Sequence, residues 1–204
     1  MRKLLIGLVS AALLAAPAYA EDLNPPPWRG EFCTTLQGWE FSTPNPTPPP
    51  DVINNPYGNP SILVIPKEGY AYYPDWEGRG GVWPLSGIID VEIWNHPLPN
   101  PFKEIWIQIT WMPQDPGEFP IIDLIDPVVA GPYVNPIHEI PLGDPWIHST
   151  YSIVIAPNPE WEHLVIGGTI DVDELIIDTR CFPEPASLAL LGLGGLAAVL
   201  RRRR

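Results

Sequence analysis

The chain has 204 residues, 24 of them acidic and 11 basic, for a formal charge of −13. Six basic residues lie at the two ends (Arg2, Lys3 and Arg201 to Arg204), so residues 21–182 hold five basic against 23 acidic side chains, a net charge near −18. Such a domain repels nucleic acid and anionic lipid and leaves cations, neutral glycans and basic proteins as partners, while 29 prolines, far above the usual ~5%, exclude long helices.

Arg2 and Lys3 are followed by the apolar run Leu4 to Ala16 and by Ala18-Tyr19-Ala20. A basic start, a short apolar stretch and small residues at the positions a signal peptidase reads predict a secretory signal over 1–20, cut between Ala20 and Glu21. The run is shorter than the roughly 20 apolar residues a membrane span needs. Export bears on Cys33 and Cys181, near the first and last residues of the remaining domain. An even cysteine count in an oxidising compartment predicts a disulfide between them, two free thiols being the alternative.

Residues 21–182 read as one domain of short strands separated by prolines and glycines. Glu31 to Phe41 offers a first strand, and the proline-rich loop Thr43 to Pro50 follows. Ser61 to Ile65 is a short buried-type run, and Glu77-Gly78-Arg79-Gly80-Gly81 a loop before Val82-Trp83-Pro84. Ile89, Val91 and Ile93 alternate with Asp90, Glu92 and Trp94; Ile105, Ile107, Ile109 and Trp111 alternate with Glu104, Trp106, Gln108 and Thr110. Period two places each set on one face, and the short stiff connection between them predicts an antiparallel hairpin. Trp146 to Ile155 is a long strand, and Glu162 to Ile166 and Thr169 to Thr179 close the domain through Gly167-Gly168. Apolar parity switches between Val172 and Leu175, which predicts a bulge near Asp173-Glu174. About eight strands in ~160 residues predict an all-β fold, a single jelly-roll-like β-sandwich.

Few residues form a constellation with chemistry. Asp171, Asp173, Glu174 and Asp178 crowd one segment, but it lacks the glycine and spacing of an EF-hand loop. Solvated carboxylates on a strand edge are the first reading, with a structural calcium an open alternative; no other cofactor is expected. Glu92 and Glu104 on the outer face of a hairpin would be the pair a glycosidase needs. His96, His138, His148 and His163 lack metal-ligand spacing, and Ser149 and Ser152 lack a G-x-S-x-G context. No catalytic residue and no metal ligand is assigned. By parity Trp94, Trp106 and Trp146 point away from the apolar sets, beside carboxylates and amides, where flat rings can stack on sugar. The competing reading packs these rings beneath the proline-rich loops.

The last residues are Pro183-Glu184-Pro185, an uncharged run from Ala186 to Leu200, and Arg201, Arg202, Arg203 and Arg204. This tail (183–204) resembles the PEP-CTERM sorting signal of exopolysaccharide-producing Gram-negative bacteria. The resemblance implies a transmembrane helix at 186–200, arginines that stop transfer on the cytoplasmic side, and processing near Pro183-Glu184-Pro185 by an exosortase, a membrane protease. Fifteen residues give only about 22 Å of helix against a ~30 Å hydrocarbon core, which suits a transient anchor. The run Ile155 to His163 followed by Ile170 to Cys181 is also similar to the closing strands of jelly-roll domains in such proteins, which are related in shape to carbohydrate-binding modules.

The expected protein is therefore exported, held transiently in the inner membrane and delivered to the cell surface or extracellular matrix. Its expected role is non-enzymatic, structural or adhesive, and linked to exopolysaccharide. A glycan-binding module using Trp94, Trp106 and Trp146 is the first alternative and a polysaccharide hydrolase the second.

Overall fold

The computed structural model describes residues 21–66, 68, 69, 71–97, 100–127, 133–143 and 145–182. The predicted signal peptide (1–20), the Pro183-Glu184-Pro185 motif, the predicted helix 186–200 and Arg201 to Arg204 lie outside the described residues. Within them the chain is all-β, with no helix. The strands are β1 (Thr34–Trp39), β2 (Val52–Asn54), β3 (Ser61–Ile65), β4 (Trp83–Pro84), β5 (Ile88–Trp94), β6 (Phe102–Pro113), β7 (Ile121–Asp126), β8 (His138–Gly143), β9 (Trp146–Ile155), β10 (Trp161–Gly167) and β11 (Ile170–Phe182). A seven-stranded sheet runs β2-β1-β11-β6-β9-β8 with β4 also on β11, and a four-stranded sheet runs β3-β5-β10-β7. Every pairing is antiparallel.

The alternation seen in the sequence decides what is buried. Ile105, Ile107 and Ile109 of β6, Tyr151 and Ile153 of β9, and Leu175 and Ile177 of β11 meet Ile62 and Val64 of β3, Ile89, Val91 and Ile93 of β5, and Leu164 and Ile166 of β10 in one cluster. The two sheets thus share a core. Burying each such side chain is worth about 1.5–3 kcal/mol.

The predicted hairpin of β5 with β6 does not form. β5 pairs with β3 and β10, whereas β6 pairs with β11 and β9. Period two fixes which side chains face the core but not which sheet a strand joins, and both strands satisfy it from opposite sides. Gly167-Gly168 likewise carries the chain from the four-stranded to the seven-stranded sheet. Gly168 has φ +125°, and a Cβ there would stand 2.6 Å from the Phe119 carbonyl oxygen, so the crossing needs glycine. The expected bulge is present: β11 shifts register against β6 between Val172 and Glu174. Asp173 is the extra residue, so two successive carboxylates, Asp173 and Glu174, turn away from the core.

Residues 21–33 cover the outer face of the seven-stranded sheet. Asn24 donates its backbone N–H to Gln108 at 2.8 Å and its side-chain amide to Thr150 at 3.0 Å. Arg29 meets Asp178 at 2.6 Å and also pairs with Asp22. Cys33 is bonded to Cys181, with Cα atoms 5.6 Å apart, fixing the end of this strap to the end of β11.

Candidate binding groove

The strap corrects the reading of the acidic segment. β11 lies between β1 and β6, so Asp171, Asp173, Glu174 and Asp178 are buried beneath covering chain rather than solvated on an edge. Each has a partner: Gln114 donates to Asp171 at 2.7 Å, Arg79 to Asp173 at 3.0 Å, Thr110 to Glu174 at 2.7 Å, and Arg29 to Asp178. Burial pushes the Glu174 carboxyl up to about 7 and those of Asp173 and Asp178 up to about 6. Among the described residues no three His, Cys, Asp or Glu side chains gather as a metal site.

The three tryptophans do not form one platform. Trp106 and Trp146 belong to the seven-stranded sheet and Trp94 to the other. Trp146 is 4% exposed; its Nε1 donates to the Glu77 carbonyl at 3.1 Å and the Arg79 guanidinium lies over its ring. Trp106 is half-buried under the strap and donates Nε1–H to the Asn24 carbonyl at 2.9 Å. These two rings are thus covered, Trp106 by the strap and Trp146 by the loop that carries Glu77 and Arg79 rather than by the proline-rich loop. Trp94 is 37% exposed and stands opposite Trp161 on the outer face of the four-stranded sheet. Glu92 and Glu104 are separated in the same way, and Glu104 is held by Arg180 at 2.7 Å.

The outer face of the four-stranded sheet carries an open groove. Ser61 to Ile65 alternates instead of reading as a buried run, so Ser61, Leu63 and Ile65 face outward beside Asp90, Glu92, Trp94, Trp161 and His163. Glu92 lies in register between Ser61 and His163. The His163 Nε2 meets Asp90 Oδ1 at 2.5 Å. The proline-rich loop runs along the edge of β3, where the Pro46 carbonyl accepts the Val64 N–H at 2.7 Å. That contact closes a sheet edge that would otherwise invite another strand. It also raises a wall. Pro48, Pro49 and Pro60 with Asp90, Glu92 and His163 line a groove of about 580 Å³, within the 300–1,000 Å³ typical of small-ligand sites.

The groove joins apolar proline rings to carboxylate and imidazole groups, a combination suited to a hydroxyl-rich ligand with apolar C–H faces. Asp90 and Glu92 are two residues apart on one strand and project side by side, about 7 Å apart along it. A glycosidase needs carboxylates opposed across the bond it breaks. Ser61 and His163 are two strand spacings apart, about 9–10 Å, beyond the reach of a nucleophile and its base. Four of the domain's cations are engaged elsewhere: Arg29, Arg79 and Arg180 with the other sheet or its cover, and Lys103 with Glu162 in the interior. His163, Asp90 and Ser61 were missed in the sequence because only strand pairing brings them together; the signal at hand was the period-two phase of Trp161, His163 and Val165.

Residues 183–204 match the family model of the PEP-CTERM protein-sorting motif. No curated protein matches the chain. The motif makes this an exported protein, one that passes through the membrane and is sorted with an exosortase as its processing partner.

Proposed function

We propose that this is a non-enzymatic adhesive protein of the cell surface or extracellular matrix that holds neutral exopolysaccharide in the groove beside Trp94. The observation that carries this reading is the groove itself, where proline rings wall a floor of Asp90, Glu92 and His163 on a domain of strongly negative charge. Such a surface disfavours anionic polymers and offers a neutral sugar both hydrogen-bonding groups and apolar faces. Trp94 and Trp161 extend it by one row for stacking.

The processing scheme belongs to the same reading. Residues 1–20 are removed as a signal peptide, the helix 186–200 anchors the chain before exosortase acts, and 21–182 is the mature domain, without a required metal. The jelly-roll reading rests on the connectivity from β4 to β11, in which the chain passes repeatedly between the two sheets. A glycan array probed with the exported protein, followed by titration through tryptophan fluorescence, tests the function. Binding to a neutral polysaccharide is expected, and no binding to any glycan would remove the reading.

A further inference from the structure

The strap begins on an unusual contact. The backbone nitrogen of Glu21 lies 2.5 Å from Glu174 Oε2, on a carboxylate whose residue is only 4% exposed. The other oxygen, Oε1, accepts the Thr110 hydroxyl at 2.7 Å. The Glu21 side chain is held as well, 2.9 Å from Arg79, which also grips Asp173. One residue on, Asp22 pairs with Arg29 and accepts from Gln108 at 2.8 Å.

We propose that the Glu174–Thr110 socket is built for the free α-ammonium of Glu21, so that removal of residues 1–20 supplies the charge that locks the strap over the seven-stranded sheet. The inference rests on the signal-peptide reading made above. Two independent observations meet at one residue: Ala18-Tyr19-Ala20 places the cut before Glu21, and Glu21 nitrogen is the atom that enters the socket. In the uncut chain that nitrogen is a neutral amide with one N–H. After the cut it is a cation with three.

The charges around Glu174 explain why this matters. Asp173 beside it and the Glu21 carboxylate are negative and add to burial in raising the Glu174 carboxyl. The Arg79 guanidinium is committed to those two carboxylates. The His148 ring, 3.7 Å from Glu174 Oε1, is pushed down to about 4 by burial and is neutral at pH 7. Thr110 contributes only a neutral hydroxyl. An ammonium at the Glu21 nitrogen supplies the opposite charge that this carboxylate lacks, and a charged donor strengthens the hydrogen bond already in place.

The test compares the chain from Glu21 to Arg204, in detergent, with the same chain extended by Ala20. The Glu21 form should melt several degrees higher at pH 7. Its α-amine should titrate well above the ordinary ~7.7–8.0 and react at least 10-fold more slowly with an amine reagent. In Glu174→Gln both differences should vanish, and the amine titration of the unsubstituted protein decides the matter even if that variant folds poorly. Equal melting and an ordinary amine pKa would overturn the socket while leaving export intact. N-terminal sequencing of the exported protein separates the two claims, since a mature chain that starts elsewhere would sink the processing step.

Discussion

Lys103 of β6 and Glu162 of β10 face each other in the interior between the two sheets, Nζ 2.9 Å from Oε1, with side chains 2% and 0% exposed. Asn95 donates to the same carboxylate and to the Pro159 carbonyl at 3.1 Å. Burial pushes the Lys103 amine down and the Glu162 carboxyl up, and each charge opposes the shift in the other. Removing one partner leaves the other charged and unpaired in the interior. Lys103→Met should therefore cost about 3–5 kcal/mol, while Lys103→Met with Glu162→Leu should recover most of it. Urea denaturation of the two variants checks this, and equal losses would show that the pair is not coupled.

The Cys33–Cys181 bond closes a loop with a sequence separation of 148. On the chain-entropy model a loop of this length stabilises by roughly 5 kcal/mol. The double variant Cys33→Ala, Cys181→Ala should lose stability of that order. Amide exchange should rise first in residues 21–33 and at the end of β11, which the bond ties together. Unchanged denaturation midpoints with and without reductant would count against it.

Strand parity was readable because buried Ile and Val recur every second position in β5, β6 and β9, and the bulge announced itself when the parity of β11 switched at Asp173. Sheet membership was not readable. Glu92 and Glu104 obey the same alternation from opposite sides of one core, so only long-range pairing separates them. β8 was missed because Pro141 interrupts it, which an edge strand tolerates. The burial of Asp178 depends on Arg29 of the strap, 149 residues away, a contact that no local pattern encodes.

The buried carboxylates set a direction for the pH dependence. Asp173 and Asp178 are raised to about 6, and Glu174 to about 7, chiefly by burial. A raised folded-state pKa gives stability that is complete below the unfolded value near 4 and is lost as pH rises through 6 to 7. His148, lowered to about 4, acts in the opposite sense: its contribution is present above about 6.5 and lost as pH falls through 4. Three groups outweigh one, so the melting temperature should fall between pH 5 and pH 7.5. The drop should be largest in the chain extended by Ala20, where Glu174 has no ammonium partner. A melting temperature that rises across this interval would refute the assignment.

In the groove, His163→Ala and Asp90→Ala each break the 2.5 Å contact between two part-exposed side chains. Neither side chain is in the core, so thermal stability should change by no more than the ±0.5 kcal/mol usual at surfaces. Glycan affinity should nevertheless fall about 10-fold, about 1.4 kcal/mol. Trp94→Ala should weaken binding further if the sugar extends past the groove toward Trp161. Titration by tryptophan fluorescence separates the effects, and unchanged affinity in all three variants would place any glycan site elsewhere.

The sorting motif follows β11 with no intervening linker. Phe182 still pairs in register with Phe102 of β6, and Cys181 beside it is bonded to Cys33. The chain is thus held by ladder and disulfide up to the residue before Pro183, where proline can neither donate to a ladder nor leave its fixed φ. A protease acting at 183–185 would meet its substrate at the mouth of a rigid domain. Replacing Pro183, Glu184 and Pro185 together with alanine should leave the folded domain unaltered but retain it in the inner membrane, with the uncut tail attached. Membrane fractionation with a mass measurement of the chain's C-terminal end reads this directly. Normal delivery of the triple variant, with a tail of unchanged processing, would show that the Pro-Glu-Pro sequence is not what exosortase recognises in this protein.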